Sequence, residues 1–212
     1  MGCIKKNYNL ENKLEDITHS ELIEYYYVVH NKQFFNYNFE NVKINIEDDE
    51  YNKCLIFAEQ CYETNKDEYH NRNQFNKSKI ILDIIIGKLG EIGVYNYLTK
   101  EKQWLCKYPD FKIYSKENKN FDSDICSDKY NIHVKSQSLN SAEKFGESWQ
   151  FQKKDKLTYN PEKNDLIFLT IISEKIVEIK KIVLALDIIS KYKEPILEKL
   201  KHTKKTLYLK DI

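Results

Sequence analysis

The 212-residue chain carries 34 basic and 33 acidic residues, for a formal net charge of +1, and 41% of its residues are hydrophobic. This composition is typical of a folded soluble domain. It argues against wholesale disorder and against a global field that would draw the protein to nucleic acid or to a membrane. Arg72 is the only arginine, so bidentate arginine contacts to guanine are nearly excluded and base reading would fall to Lys, Asn, Gln, Ser or Thr.

The five cysteines form no CxxC pair, and neither they nor the histidines have the spacing of a zinc site. Their odd number and the lack of a signal peptide predict reduced thiols in a cytoplasmic protein. The most apolar segment, residues 80–98, contains Asp83, Lys88 and Glu91. These charges make it a poor membrane span, so no membrane partner is expected.

The N-terminal 77 residues are predicted to form a helical region packed on the core. A short aromatic helix is expected over residues 22–30, with its tyrosines as packing surface. Apolar residues at helical spacing predict a second helix over residues 47–64. The polar residues 66–77 are expected to connect it to the next helix.

A long, largely apolar helix is predicted over residues 78–98, with a length of about 30 Å. Three of the five glycines of the protein, Gly87, Gly90 and Gly93, fall inside it. Glycine in a helix interior costs up to ~1 kcal/mol relative to alanine, so three of them indicate that another element approaches this helix closely. Glu91 lies in the middle of this run.

Short strands dominate the rest of the chain. They are predicted over residues 104–108, 111–114, 122–126, 131–137 and 148–152. A continuous apolar run over residues 165–172 predicts a fully buried central strand. Further elements are one or two strands within residues 175–187, a short helix over 195–202 and an edge strand over 206–209. Residues 78–212 are therefore expected to form an α/β core with a C-terminal extension, in one domain with the N-terminal region.

Residues 121–137 carry the chemistry-bearing side chains. They predict a hairpin with Asp124 on its first strand and with His133, Lys135 and Gln137 on one face of its second strand, because strand side chains alternate. Phosphodiester hydrolysis uses carboxylates to anchor a metal ion and a lysine to orient the nucleophile or stabilise the transition state. Asp124, Lys135 and the helix residue Glu91 would supply these groups, although Asp122 is an alternative to Asp124.

The order of helix glutamate, strand aspartate and x-Val-Lys resembles the PD-(D/E)XK nuclease superfamily over roughly residues 78–172. The resemblance implies a restriction-endonuclease-like fold, in which a mixed β-sheet is flanked by helices. It matches Glu91 to the helix glutamate, Asp124 to the hairpin aspartate and Lys135 to the lysine of the family. Gln137 matches a polar position often found two residues after that lysine.

One position departs from the family pattern, because His133 stands where an Asp or Glu precedes the lysine by two residues. The family resemblance implies Mg²⁺, whereas an imidazole ligand suits Mn²⁺ and later metals better. His133 is therefore expected to bind the metal with Asp124 and Glu91, to contact the phosphate, or to position water.

These features predict a Mg²⁺- or Mn²⁺-dependent endonuclease that cuts double-stranded DNA. The leading prediction is a type II restriction endonuclease acting as a homodimer, since two sites related by a two-fold axis would cut both strands. A phage, viral, repair or junction-resolving nuclease would carry the same core, and an RNA-cutting enzyme is not excluded. A catalytically inactive nucleic-acid-binding protein of the same fold is the alternative, motivated by His133. The lysine-bearing segments 144–156 and 191–205 are candidate DNA-binding patches.

Overall fold

The computed structural model describes residues 42–115 and 123–212, which belong to one compact unit, Phe39–Ile212. The helix predicted over residues 22–30 and the alternative ligand Asp122 lie outside the described residues. The strands and α-helices are, in chain order, β1 (Val42–Asn45), α1 (Asp48–Asn71), α2 (Lys77–Asn96), β2 (Ile125–Cys126), β3 (Asn131–Ser138), α3 (Leu139–Phe145), β4 (Ser148–Gln152), β5 (Asp165–Ser173), β6 (Ile176–Leu184) and β7 (Lys204–Tyr208).

Helix α1 begins at a reciprocal capping box between Glu47 and Glu50. It runs seven residues past its predicted end, so only residues 72–76 of the connector predicted over residues 66–77 lie between the two helices. No glycine or proline interrupts this stretch, and two hydrogen bonds of the buried Asn65 side chain, to the carbonyls of Cys61 and Tyr114, hold its polar residues in a helix.

Helix α2 confirms the long apolar helix and continues through a π-helical turn, Tyr97–Glu101. A Cβ atom on Gly90 would lie 2.0 Å from Ser136 Oγ of β3, and one on Gly93 would lie 2.6 Å from the Val177 side chain of β6. At these two positions the sheet approaches the helix closely, as the sequence predicts. Gly87 has open space around it, so the prediction is wrong there. No helix in the described part of the chain combines the length and apolar character needed to cross a membrane.

The five-stranded sheet has the order β1-β6-β5-β3-β2. Strand β3 pairs antiparallel with β2 and parallel with β5, while β6 pairs antiparallel with both β5 and β1. All residues of β5 except Ser173 are buried, which confirms the predicted central strand and the α/β class with a mixed sheet. The connection from β3 to the parallel β5 passes through α3 and β4.

Helix α2 covers one face of this sheet, and a second core covers part of the other face. The second core is built around the buried Trp149, Phe151 and Leu207 of a separate two-stranded sheet, β4-β7, which packs against Ile167 and Leu169 of β5. Trp149 also donates a hydrogen bond from Nε1 to the Thr170 carbonyl at 3.0 Å. Trp149 is therefore a packing residue.

Several short elements differ from the prediction. Among the described residues, 104–114 form no strand and contribute only an isolated bridge between Cys106 and Ser127, because Tyr108 and Phe111 pack in an aromatic cluster instead. The first hairpin strand is limited to the two residues of β2, and the predicted C-terminal helix is a 3₁₀ turn, Glu198–Leu200. Residues 175–187 hold one strand, which agrees with the prediction of one or two. The predicted edge strand 206–209 is β7, which lies in the second sheet. Within the region predicted as helical, residues 42–45 form β1.

Candidate functional site

Glu91 and Asp124, two of the predicted site residues, line the same cavity of about 310 Å³. Glu91 enters it from α2, and Asp124 enters it from the residue before β2. Helix α1 forms another wall with four side chains, Phe57, Cys61, Asn65 and Tyr69. The helix and the hairpin therefore deliver two carboxylates to one space, as the sequence predicts.

Glu91 is largely buried, with 14% of its side chain exposed. Lys88, one helical turn earlier, donates from Nζ to Glu91 Oε2 at 2.6 Å and to the Asp110 carbonyl at 2.8 Å. Burial raises the pKa of Glu91 to about 8, and repulsion from Asp124 adds to this effect. The ammonium of Lys88 acts in the opposite direction but does not outweigh them. Near neutral pH, Glu91 is thus poised to hold a proton or a cation.

Asp124 is fixed by the edge of the sheet. Strand β2 begins only at Ile125, so the Val134 N–H on β3 lies beyond the ladder between the two strands. Asp124 Oδ2 accepts a hydrogen bond from this N–H at 2.7 Å. The carboxylate therefore replaces the missing strand partner and is held between α2 and β3.

Asp110 is a third carboxylate at this cavity, and the sequence reasoning did not identify it. Its Oδ2 accepts from the Tyr114 hydroxyl at 2.5 Å and its Oδ1 accepts from the Lys112 N–H at 2.8 Å. The hydrogen bond from Tyr114 lowers the pKa of Asp110, with a further contribution from the Lys112 amide. Asp110 follows Pro109, and this Pro-Asp pair is a turn signal that could have placed it on a loop between packed elements.

His133 lies on the other face of the sheet from α2. Ser136 is the β3 residue that meets Gly90 of the helix, so strand alternation directs His133 to the opposite side. There His133 Nε2 lies 3.3 Å from Asp165 Oδ1. Burial acts to raise the pKa of Asp165, but hydrogen bonds from the Glu162 N–H, the Asn131 amide and His133 together lower it.

Lys135 shares this face and is partly exposed. Its Nζ lies 3.4 Å from Asp155 Oδ2 and 5.1 Å from the centre of the Phe151 ring. The distance to Asp155 is long for a charge-assisted hydrogen bond, so the ammonium is only weakly held. Lys135 is therefore next to the strand edge that Asp124 caps, but its nearest carboxylate is Asp155.

Gln137 has a packing role. It is buried, its Oε1 accepts from the Ser148 N–H at 2.9 Å, and its Nε2 donates to the Gly146 carbonyl at 3.1 Å. These bonds fix the turn that leads into β4. The structure gives Gln137 no contact with Glu91 or Asp124 among the described residues.

The predicted metal ligands Asp124, Glu91 and His133 do not all meet. Among residues 42–115 and 123–212, no group of three or more His, Cys, Asp or Glu side chains is close enough to hold a metal ion. Glu91 and Asp124 suit a hard cation, since both offer carboxylate oxygens to one cavity and mutual repulsion disfavours their joint ionisation without one. His133 does not fit the same ion in this arrangement.

A second cavity of about 610 Å³ adjoins the first. Four residues line both of them, namely Asp110, Lys112, Ser123 and Asp124. The second cavity is also lined by Lys53, Lys107, Tyr108, Pro109, Phe111 and Cys126. Together the two cavities form a continuous cleft that is acidic at the Glu91 end and lysine-rich at the other.

Comparisons of the chain with protein-family models, curated proteins and solved structures gave no significant match.

Proposed function

We propose that the protein is a metal-dependent endonuclease that hydrolyses phosphodiester bonds of duplex DNA, with a homodimeric type II restriction endonuclease as its leading form. The observation that carries the proposal is the convergence of Glu91, from α2, and Asp124, from the hairpin, on one cavity. A restriction-endonuclease-like fold is part of the proposal. It is supported by the antiparallel β2-β3 hairpin followed by the parallel pairing of β3 with β5.

In this proposal Glu91 and Asp124 hold Mg²⁺ or Mn²⁺. When bound, the ion neutralises charge on the phosphate and lowers the pKa of a water molecule. Lys88 orients the Glu91 carboxylate through its 2.6 Å hydrogen bond, and the Val134 N–H orients Asp124. Lys135 lies on the sheet face opposite α2, so its proposed role, to orient the nucleophile or stabilise charge in the transition state, requires its side chain to exchange the weak contact with Asp155 for the substrate at the strand edge.

The test is incubation of the purified protein with plasmid DNA in Mg²⁺, in Mn²⁺ and in EDTA. Glu91→Gln, Asp124→Asn and Lys135→Ala should each abolish cleavage. Asp83→Asn is the matched control, because Asp83 is an exposed carboxylate on the same helix. Discrete metal-dependent fragments are expected, whereas a smear would favour a nonspecific or structure-selective nuclease. Absence of cutting by the wild type in both metals would refute the proposal.

A nucleic-acid-binding protein without activity is the second candidate. The observation that favours it is the pairing of His133 with Asp165 and of Lys135 with Asp155, on the sheet face opposite α2. Such a protein would bind duplex DNA in EDTA and in either metal but would cut in none of them. Competition between duplex DNA and RNA in the same binding assay would identify the preferred nucleic acid.

A further inference from the structure

The lysine-rich end of the cleft is positioned to receive a nucleic-acid strand. Lys112, Ser123, Asp110 and Asp124 line both cavities, so a strand whose reacting phosphate lies between Glu91 and Asp124 would continue into the larger one. A phosphodiester chain carries a negative charge at every nucleotide and therefore needs cations along its course.

Three lysines, Lys53, Lys107 and Lys112, line the larger cavity, and we call them the cleft lysines. All three are exposed. None of them forms a salt bridge with a carboxylate that the structure describes, whereas the exposed Lys77 and Lys79 do. The cleft lysines are therefore available to an anionic ligand.

Two of the residues that line both cavities, Asp110 and Asp124, are acidic, and each accepts hydrogen bonds from protein donors. Asp110 accepts hydrogen bonds from the Tyr114 hydroxyl and the Lys112 backbone N–H, and Asp124 accepts one from the Val134 N–H. These bonds direct carboxylate oxygens toward protein donors. Both aspartates keep their charges, and the ammonium of Lys112 acts on Asp110, but neither aspartate forms a salt bridge with a cleft lysine among the described residues.

Aromatic rings hold one of these ammonium groups in place. Lys53 Nζ lies 4.2 Å from the centre of the Tyr108 ring and 4.5 Å from that of Phe111. The two rings stack at 6.0 Å, and edge-to-face contacts with Phe57 and Tyr95 fix them in turn. A cation over ring faces is ordered without losing its charge to a carboxylate, which lowers the entropy cost of binding an anion.

We propose that the cleft lysines bind the sugar-phosphate backbone of the substrate next to the bond that is cut. This inference rests on the proposed nuclease function for the orientation of the strand, and it adds the surface that holds the strand. Binding through phosphates is independent of base sequence, so this surface supplies affinity and register and leaves sequence reading to other residues.

The experiment measures binding of a fluorescent DNA duplex of about 20 base pairs in EDTA, at several salt concentrations between about 50 and 200 mM. The test variant is a triple variant that combines Lys53→Gln, Lys107→Gln and Lys112→Gln. The control variant is Lys43→Gln, Lys66→Gln, Lys181→Gln, which removes the same charge from exposed lysines that line neither cavity. Thermal unfolding by circular dichroism checks that both variants fold.

The test variant should bind roughly tenfold more weakly for each lysine engaged near 0.1 M salt, and its plot of log affinity against log salt should be less steep by about 0.9 per lysine. The control variant should bind like the wild type. Equal losses in both variants, or no loss in the test variant, would overturn the inference. If the triple variant does not fold, the single variants Lys107→Gln and Lys112→Gln carry the same test, because neither lysine packs on a described ring.

Two further arms separate the outcomes. Wild-type protein that binds DNA through the cleft lysines but never cuts it would refute the nuclease proposal and support this inference. Cleavage that is unchanged in the test variant would support the nuclease proposal and refute this inference. A mononucleotide that is bound through the cleft lysines while duplex binding does not depend on them would also overturn it, since the site would then recognise free nucleotides.

Discussion

Glu91 should make the stability of the protein fall as pH rises. Its pKa is about 8 in the folded protein against an ordinary value of 4.5, because burial and Asp124 disfavour the charged form. Between these pH values the folded state keeps a proton that the unfolded chain has lost, so the free energy of unfolding decreases by up to about 1.4 kcal/mol per pH unit. Over the whole interval the decrease amounts to at most about 5 kcal/mol.

The Glu91→Gln variant isolates this effect. Gln cannot ionise but can still accept a hydrogen bond from Lys88, so the free-energy difference between variant and wild type should grow with pH in favour of the variant. Because of Glu91, the free energy of unfolding of the wild type should be about 3 kcal/mol lower at pH 7 than at pH 4. Urea unfolding in EDTA at several pH values between about 5 and 8.5 measures the difference, with Asp83→Asn as the control for an exposed carboxylate of α2.

A difference between Glu91→Gln and wild type that does not change with pH would refute this reasoning, because it would mean that Glu91 titrates normally in the folded protein. A divalent cation adds a second check. Mn²⁺ at pH 7 should raise the unfolding temperature of the wild type, since a ligand that binds only the folded state stabilises it, and the rise should be absent in Glu91→Gln.

Three other predictions concern packing and the site. Gly93→Ala should destabilise the protein by about 1–3 kcal/mol in urea unfolding, since its Cβ would meet a β6 side chain at 2.6 Å, whereas Gly87→Ala in open space should be neutral or stabilising by up to ~1 kcal/mol. Asp124→Asn should abolish plasmid cleavage but keep the unfolding free energy, because an amide oxygen can still accept from the strand edge; loss of both would show a structural role only. Asp165→Ala should lower the free energy of unfolding by about 1–3 kcal/mol at neutral pH, because it leaves the Glu162 N–H and the Asn131 amide without the carboxylate that accepts their hydrogen bonds; an unchanged free energy of unfolding would contradict this pairing.

The long, strongly patterned elements could be predicted from the sequence. The apolar circumference of α2 favours a helix, the short uninterrupted apolar run of β5 favours a buried strand, and the glycines of α2 correctly indicated close packing at Gly90 and Gly93. The convergence of Glu91 and Asp124 on one cavity was also expected. The position at which α1 ends was not predicted, because its last turns are polar and lack the apolar spacing that marks a helix.

The orientation of β3 shows where sequence reasoning stops. Alternation correctly assigns His133 and Lys135 to one face of the strand, but it does not say which face meets α2. That choice depends on the contact between Gly90 and Ser136, where two small residues allow the helix to approach. Asp110 was missed for a related reason, since its place at the cavity depends on tertiary packing of aromatic residues that resemble strand residues in a single sequence.

The pairing of β1 with β6 has a consequence for synthesis of the protein on the ribosome. Val42 pairs with Ile179, so most of the chain must be synthesised after β1 before its partner strand emerges. At roughly 5–20 residues per second this delay is on the order of 10 s. During that time the apolar residues of β1 depend on chaperones or on transient contacts for protection. The sheet can therefore be completed only late in translation, and a nascent chain that stalls before β6 leaves β1 without its partner strand.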